Sequence, residues 1–332
     1  DIGKNPVGTG PFQFSEWVQQ QRVVFKRFDG YWGGAPNLDQ LTFVVITDES
    51  ARLASFLSGE TLIDGGLTTT DATAVKQNNN SVLVSAPQIG PYVLILDTRD
   101  APFSDKRVRQ ALSLATDRNA LVQGTSSGFG SVANQYMTSL NPFYDKSLPP
   151  LEEDVQQAKT LLEQAGASNL KFPLLTFNTE PYKSFTQLLQ QQWARAGITV
   201  TINQLETSQF LATAGKGTNS DTPAMATILL TQRPGQVASW LVSTAFAPAG
   251  KNRGYYSNSQ FDSLEQQAAT HSVADAKSYE QQAQKLALEE PSSIIPLYII
   301  PELTGVSKKI QGVDWSQWKG WAYPLWQQFW MS

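Results

Sequence analysis

Apolar and polar residues alternate with two different periods along this chain, and each change of period marks a boundary. Strand-like runs come first, over Arg22–Phe28 and Gln40–Ile46, with a loop at Asp29–Gly34 between them. Glu49–Gly59 switches to helical spacing, with Leu53, Phe56 and Leu57 on one face and Gly59 as terminator. The apolar run Tyr92–Asp97 predicts another strand. Ser104 or Asp105 then caps a helix on which Val108, Ala111, Leu112 and Ala115 follow the i, i+3, i+4, i+7 pattern. Thr116-Asp117 caps a second, ending at Gly124. A third helix begins at Glu152-Glu153-Asp154, turns Val155, Ala158, Leu161, Leu162 and Ala165 inward, and stops at Gly166. Its three acids suit the positive end of a helix dipole better than acid/base catalysis.

From there strands and helices alternate. The spacing predicts strands over 170–177, 198–205 and 226–231. Helices are predicted over 181–196 and 208–214, the first with Pro181 in its opening turn. Such alternation implies α/β architecture with a largely parallel sheet, whose ligands sit beyond the carboxyl ends of the strands. Arg233, just after the run Ala226–Leu230 and before Pro234-Gly235, stands at such an end. Two amphipathic helices, 259–270 and 273–289, precede the extended run Ile294–Ile300. Trp315, Trp318, Trp321, Trp326 and Trp330 crowd the tail, where packing against the body of the protein is the expected role.

Composition narrows the chemistry. The 332 residues include no cysteine and a single histidine, His271, which removes the usual ligands of zinc, haem and iron–sulfur sites together with thiol and Ser-His nucleophiles. A net charge of −4 supplies no phosphate-binding stripe, so nucleic acid is not an expected partner. No apolar run approaches the ~20 residues that cross a bilayer. Gly215-Lys216-Gly217-Thr218 looks like a phosphate loop, but Phe210 stands where its first glycine belongs, and a polar loop is the better reading. No catalytic motif is found, and no metal or cofactor site is predicted.

Several stretches, in order, resemble the extracytoplasmic substrate-binding proteins of ABC importers for dipeptides, oligopeptides and nickel. They are NPVGTGPFQFSEW (5–17), DGYWGGAPNLDQLTFVVI (29–46), LASFLSGE (53–60), PFSDKRVRQALSLATDRNALV (102–122) and SNSQFDSLEQQA (257–268), supported by DVQQAKTLLEQAG (154–166), WARAGITVTI (193–202) and IIPLY (294–298). The resemblance implies a periplasmic-binding-protein-like fold of two lobes joined by a hinge. Residues 1–95 are then a partial lobe one, 96–298 a nearly complete α/β lobe two, and 299–332 the return to lobe one. The chain is expected to cross between lobes near Tyr92–Asp97 and Leu297–Pro301. Because members of the family are longer, the chain looks like a carboxyl-terminal portion whose own ligand binding is impaired.

The implied function is capture of a small solute (peptide, sugar or anion) and its delivery to ABC permease subunits, without catalysis. The implied location is extracytoplasmic, periplasmic or lipid-anchored, and the implied full-length form is monomeric. A sensor or interaction protein on the same fold, or a carboxylate-dependent hydrolase, is the alternative. Peptide binders of the family hold the ligand's ammonium with an aspartate after a lobe-two strand, and counting back eight residues from Leu241 puts Arg233 at that place. A cation there suits an anionic or neutral polar ligand, with Arg233 donating a bidentate pair. If the alignment slips, Arg233 is an exposed loop residue and Gln232 or Gln236 lines the cleft. Thr231, Trp240, Asn252, Tyr298, Tyr92 and Thr68, the last within Gly66–Thr69, complete the candidate ligand contacts.

Overall fold

A computed structural model describes residues 6–86, 90–231, 233–312 and 328–331. The chain separates into two compact units, one made of residues 1–87 and 301–332, the other of 88–300.

The smaller unit opens with an antiparallel meander, β1 (Phe12–Val18), β2 (Arg22–Arg27) and β3 (Gln40–Val44). Helix α1 (Glu49–Ser58) follows, capped by the Asp48 carboxylate and ended by Gly59 in a left-handed conformation at φ 84°. β4 (Ile63–Asp64), α2 (Thr69–Gln77) and β5 (Ser81–Ala86) complete this part. The sequence pattern left α2 unmarked because only Ala72 and Val75 of its residues are buried, too few to show a period.

The larger unit begins at β6 (Tyr92–Leu96), whose five residues are all buried. Helices α3 (Lys106–Leu114) and α4 (Arg118–Ser126) start at the caps Asp105 and Asp117. After β7 (Ser131–Val132) come α5 (Val155–Gln164), β8 (Lys171–Phe177), α6 (Tyr182–Ala194), β9 (Thr199–Leu205), α7 (Thr207–Ala214) and β10 (Ala224–Ile228). Helices α8 (Gln236–Leu241), α9 (Ser259–Ala269) and α10 (Val273–Glu289) lead to β11 (Ile294–Ile299). The chain then re-enters the smaller unit with β12 (Glu302–Ser307), between β4 and β5, and β13 (Ile310–Gln311), paired with β14 (Trp330–Met331). Trp315, Trp318, Trp321 and Trp326, expected to pack on the body, lie outside the described residues.

The sheet of the larger unit has the order β7-β11-β6-β10-β8-β9. It is mixed, which corrects the expectation of a largely parallel sheet. The alternating segment β8-α6-β9-α7-β10 is parallel as read, but β6 runs antiparallel to both β10 and β11. The first crossing between lobes, expected near Tyr92–Asp97, comes earlier: Tyr92–Leu96 is a central strand hydrogen-bonded on both edges, and the larger unit starts before it, at residue 88. Likewise Leu297 and Tyr298 sit inside β11, and the return to the smaller unit comes after Ile300.

Both faces of this sheet are covered. Leu94 and Leu96 join Phe103, Leu112, Leu162, Phe185 and Trp193 in one core, whereas Val93 and Ile95 join Tyr136, Phe210, Met225, Trp240 and Phe261 in the other. The uninterrupted apolar run of β6 follows, since successive residues point to opposite faces and neither face meets water. Each such side chain contributes about 1.5–3 kcal/mol through burial. Gly90 is required at the entry to β6, because a Cβ there would lie 1.6 Å from the Leu229 carbonyl oxygen.

Candidate functional site

Parallel strands of a mixed sheet bring their following loops to one end, and in the larger unit that end collects Phe177, Leu205, the turn after Ile228, Ile299 and the start of β6 at Tyr92. The expected strand over 226–231 instead runs Ala224–Ile228, and residues 229–231 and 233–235 lie in the connection at this end.

The turn is held firmly. The Asn141 side-chain amide donates to the carbonyls of Thr231 at 2.7 Å and Arg233 at 3.0 Å. The Thr231 hydroxyl donates to the Tyr136 carbonyl at 2.6 Å. Gln236 accepts from the Arg233 amide at 2.8 Å, and Glu280 of α10 accepts from the Gly235 amide at 3.2 Å. Gly235, at φ 70°, makes the sharp reversal into α8. The sequence pattern singles out Arg233 but gives no sign of Asn141, Glu280 and Tyr136, because the contacts joining them to the turn span 45 to 95 residues.

Arg233 itself is exposed, and its guanidinium makes no hydrogen bond or ion pair with the described residues. The backbone is therefore fixed while the charged head stays exposed. Thr231 is fully buried and committed to Tyr136. Gln232 lies outside the described residues.

Tyr92 and Tyr298 form the floor of the same strand end. Their rings stack at 5.0 Å with an interplanar angle of 14°. Tyr182 and Phe185 meet the Tyr92 ring edgewise at 5.4 and 5.8 Å. Burial pushes the Tyr92 phenol up to about 12 and raises that of Tyr298 as well, so both stay neutral. The Tyr298 hydroxyl, beside Thr125, has no partner in hydrogen-bonding geometry among the described residues.

Trp240 and Asn252 are placed differently from the expectation, which set them beside Arg233. Helix α8 carries the chain away from the turn, and Trp240 packs in the core below the sheet. Asn252 is fully buried, donating to the carbonyls of Leu241, Val242 and Tyr256 and accepting from the Tyr256 amide. It lies near Gly254, whose carbonyl receives the Thr98 amide beyond the far end of β6. Asn252 thus braces loops at the opposite edge of the sheet.

In the smaller unit Thr68 is the N-cap of α2, forming a reciprocal capping box with Asp71. Beside it, Arg52 donates to Asp64 at 3.2 Å and to the Gly66 carbonyl at 2.6 Å, within a cavity of about 530 Å³ that Phe43, Val44 and Ile310 also line. No cluster of metal-binding side chains and no helix long and apolar enough to cross a membrane occurs among the described residues.

Two helix-covered faces on a mixed sheet, and a second unit that the chain enters twice, give the larger unit an α/β architecture. The chain belongs to the bacterial extracellular solute-binding proteins, family 5, whose model matches residues 1–245. It is 31% identical over 323 residues to the glutathione-binding protein GsiB of Shigella flexneri, covering 94% of this chain and 62% of that protein. The chain thus spans about three-fifths of the length of the curated relatives it matches. Among solved structures, it is similar to the oligopeptide-binding protein AppA of Bacillus subtilis in complex with a nonapeptide, at 26% identity and a TM-score of 0.81, covering 98% of this chain and 67% of that one. The fold is also that of the periplasmic binding protein DppA of Helicobacter pylori, solved with the peptide STSA, at a TM-score of 0.85 and 22% identity, covering 99% and 64%.

Proposed function

We propose that this chain is the larger part of the solute-binding component of an ABC importer, and that its cargo is a peptide-like solute bearing a carboxylate. The observation that carries this reading is the turn after β10. Four hydrogen bonds from Asn141, Gln236 and Glu280 fix its backbone, while the Arg233 guanidinium is left exposed and unpaired among the described residues. A planar guanidinium with free donors suits a carboxylate, which it receives through two parallel hydrogen bonds. A pre-ordered backbone lowers the entropy lost when the ligand is held. Family membership and the similarity to glutathione- and peptide-binding proteins support the same class of cargo. Binding and release need no covalent step, so the protein works as a receptor that hands its solute to membrane-embedded permease subunits on the outer side of a bacterial membrane.

The test is calorimetric titration of the full-length protein with glutathione and with short peptides, in the parent and in Arg233→Ala. A saturable affinity that falls about tenfold or more in the variant supports the reading, in line with the strength of hydrogen bonds to charged groups. An affinity that Arg233→Ala leaves unchanged removes Arg233 from the site. Binding of neither ligand class removes the assignment of cargo.

A further inference from the structure

At the edge of the larger unit's sheet opposite Tyr92, the loops that follow β6 and α8 enclose an open groove of about 510 Å³ lined by Thr98, Arg99, Ser104, Arg109, Tyr255 and Tyr256 among others. Tyr92 opens β6 and Thr98 follows two residues after its last residue, Leu96, about 20 Å away if the chain stays extended at the usual rise per residue. The groove is therefore separate from the Arg233 turn.

Its lining contains two arginines and no carboxylate. Arg109 is 7% exposed and has no acidic partner in hydrogen-bonding contact. Its Nε donates to the carbonyls of Pro291 at 2.7 Å and Ser292 at 3.1 Å, and its Nη1 to those of Phe103 at 2.6 Å and Ser104 at 3.1 Å. These bonds lock the guanidinium plane and leave Nη2 for the groove. Burial lowers the Arg109 pKa, the signature of a cation short of countercharge. The acids near Arg109 and Tyr256 are engaged elsewhere, Asp105 with Arg107, Asp97 with Arg99, Asp262 with the amide and hydroxyl of Ser243, and Glu290 with Lys106 at 3.9 Å. Arg99 is held by Asp97 and by the Thr218 carbonyl at 2.7 Å, with its guanidinium 3.6 Å from the centre of the Tyr255 ring. That arrangement engages Nε and Nη2 and leaves Nη1 without a partner among the described residues.

Tyr256 supplies the independent observation. It is 5% exposed, it lines the groove, and its buried hydroxyl lies beside the Asn258 carboxamide without reaching hydrogen-bonding geometry to any described residue. An unpartnered hydroxyl in such a place is costly to leave unsatisfied. An oxygen acceptor seated between it and Arg109 would satisfy both.

We propose that this groove is a second binding site, for a small anion carrying a carboxylate or phosphate group, which Arg109 and the Tyr256 hydroxyl hold and the edge of Arg99 steadies. The site is independent of the cargo site and of the cargo's identity.

The experiment is titration of the purified chain with inorganic phosphate and, separately, with acetate, at constant ionic strength set by sodium chloride. One saturable site per chain is expected, and the tighter of the two anions identifies the group recognised. Tyr256→Phe removes the hydroxyl and nothing else, and is expected to weaken that binding about tenfold. Arg109→Lys, which loses the fork but keeps the charge, is expected to weaken it further. Should Arg109→Lys fail to fold, Tyr256→Phe decides alone. Absence of saturable binding of both anions overturns the proposal, and so does an affinity unchanged in Tyr256→Phe or in a folded Arg109→Lys.

Discussion

Helices α9 and α10 bury a carboxylic acid from each side of their contact, and that pair makes stability depend on pH in an unusual direction. Glu265 is 5% exposed and Glu280 3%. Glu265 Oε1 and Glu280 Oε2 have no hydrogen-bond partner among the described residues, and neither side chain forms an ion pair there. The one donor on the pair is the Gly235 amide, to Glu280. Burial, followed by the neighbouring charges of Glu280 and Asp262, pushes Glu265 up to about 8, and burial raises Glu280 too. Two like charges so placed cannot both ionise cheaply, so the folded protein retains a proton that the unfolded chain releases near pH 4.5. Since the native state binds the extra proton, stability from this pair is fully present below about pH 4.5 and is lost as pH rises towards about 8. The slope is about 1.4 kcal/mol per pH unit, which across that window sets a ceiling of about 5 kcal/mol.

Glu265→Gln keeps the shape and deletes the charge. Urea unfolding of the parent and variant, followed by tryptophan fluorescence at pH 5, 6.5 and 8, gives the difference in stability at each pH. Taking the difference cancels carboxylates such as Asp105 and Asp145, whose hydrogen-bonded pKa values are lowered and whose contributions run the other way. The variant is expected to match the parent within about 1 kcal/mol at pH 5 and to exceed it by about 2–4 kcal/mol at pH 8. A difference that stays flat across the three pH values, or a parent that gains on the variant as pH rises, would refute the shared-proton account.

Three further outcomes are expected. Asn141→Ala removes both hydrogen bonds to the Thr231 and Arg233 carbonyls and should cost about 2–3 kcal/mol in urea unfolding; on the proposed function it should also weaken glutathione or peptide binding by the full-length protein, which calorimetry would read. Gly90→Ala forces a methyl group into the Leu229 carbonyl and is expected to destabilise by about 3 kcal/mol or more, seen as a lowered thermal midpoint. Tyr298→Phe deletes a hydroxyl with no partner in good geometry, so stability should change by less than about 1 kcal/mol while the Tyr92 stack persists; a larger loss would show that the hydroxyl is satisfied in solution.

Local chemistry was sufficient for much of the architecture. The capping acids Asp105, Asp117 and Asp154 sit where the helices start, and Val273–Glu289 runs to its expected ends, because caps and the 3.6-residue period act over a few residues. The strand order was beyond that reach. Nothing near Tyr92–Leu96 shows that β10 and β11 flank it and run opposite to it, since those partners lie more than a hundred residues away and a doubly buried strand has the same composition in either orientation. The site divides in the same way. Arg233 was legible as a cation in a turn after a strand, whereas Asn141 and Glu280, which set the geometry of that turn, arrive from distant loops and helices. Trp240 and Asn252 differ from the expectation because closeness in sequence is not closeness in space: α8 leads away from the turn by about 9 Å, and the loop beyond it sets Asn252 against the helix end at Leu241 and Val242. Short-range order was written in the sequence; which buried polar groups meet, and which stay without a partner among the described residues, was decided only when the sheet brought remote segments together, because long-range contacts have no local periodicity to announce them.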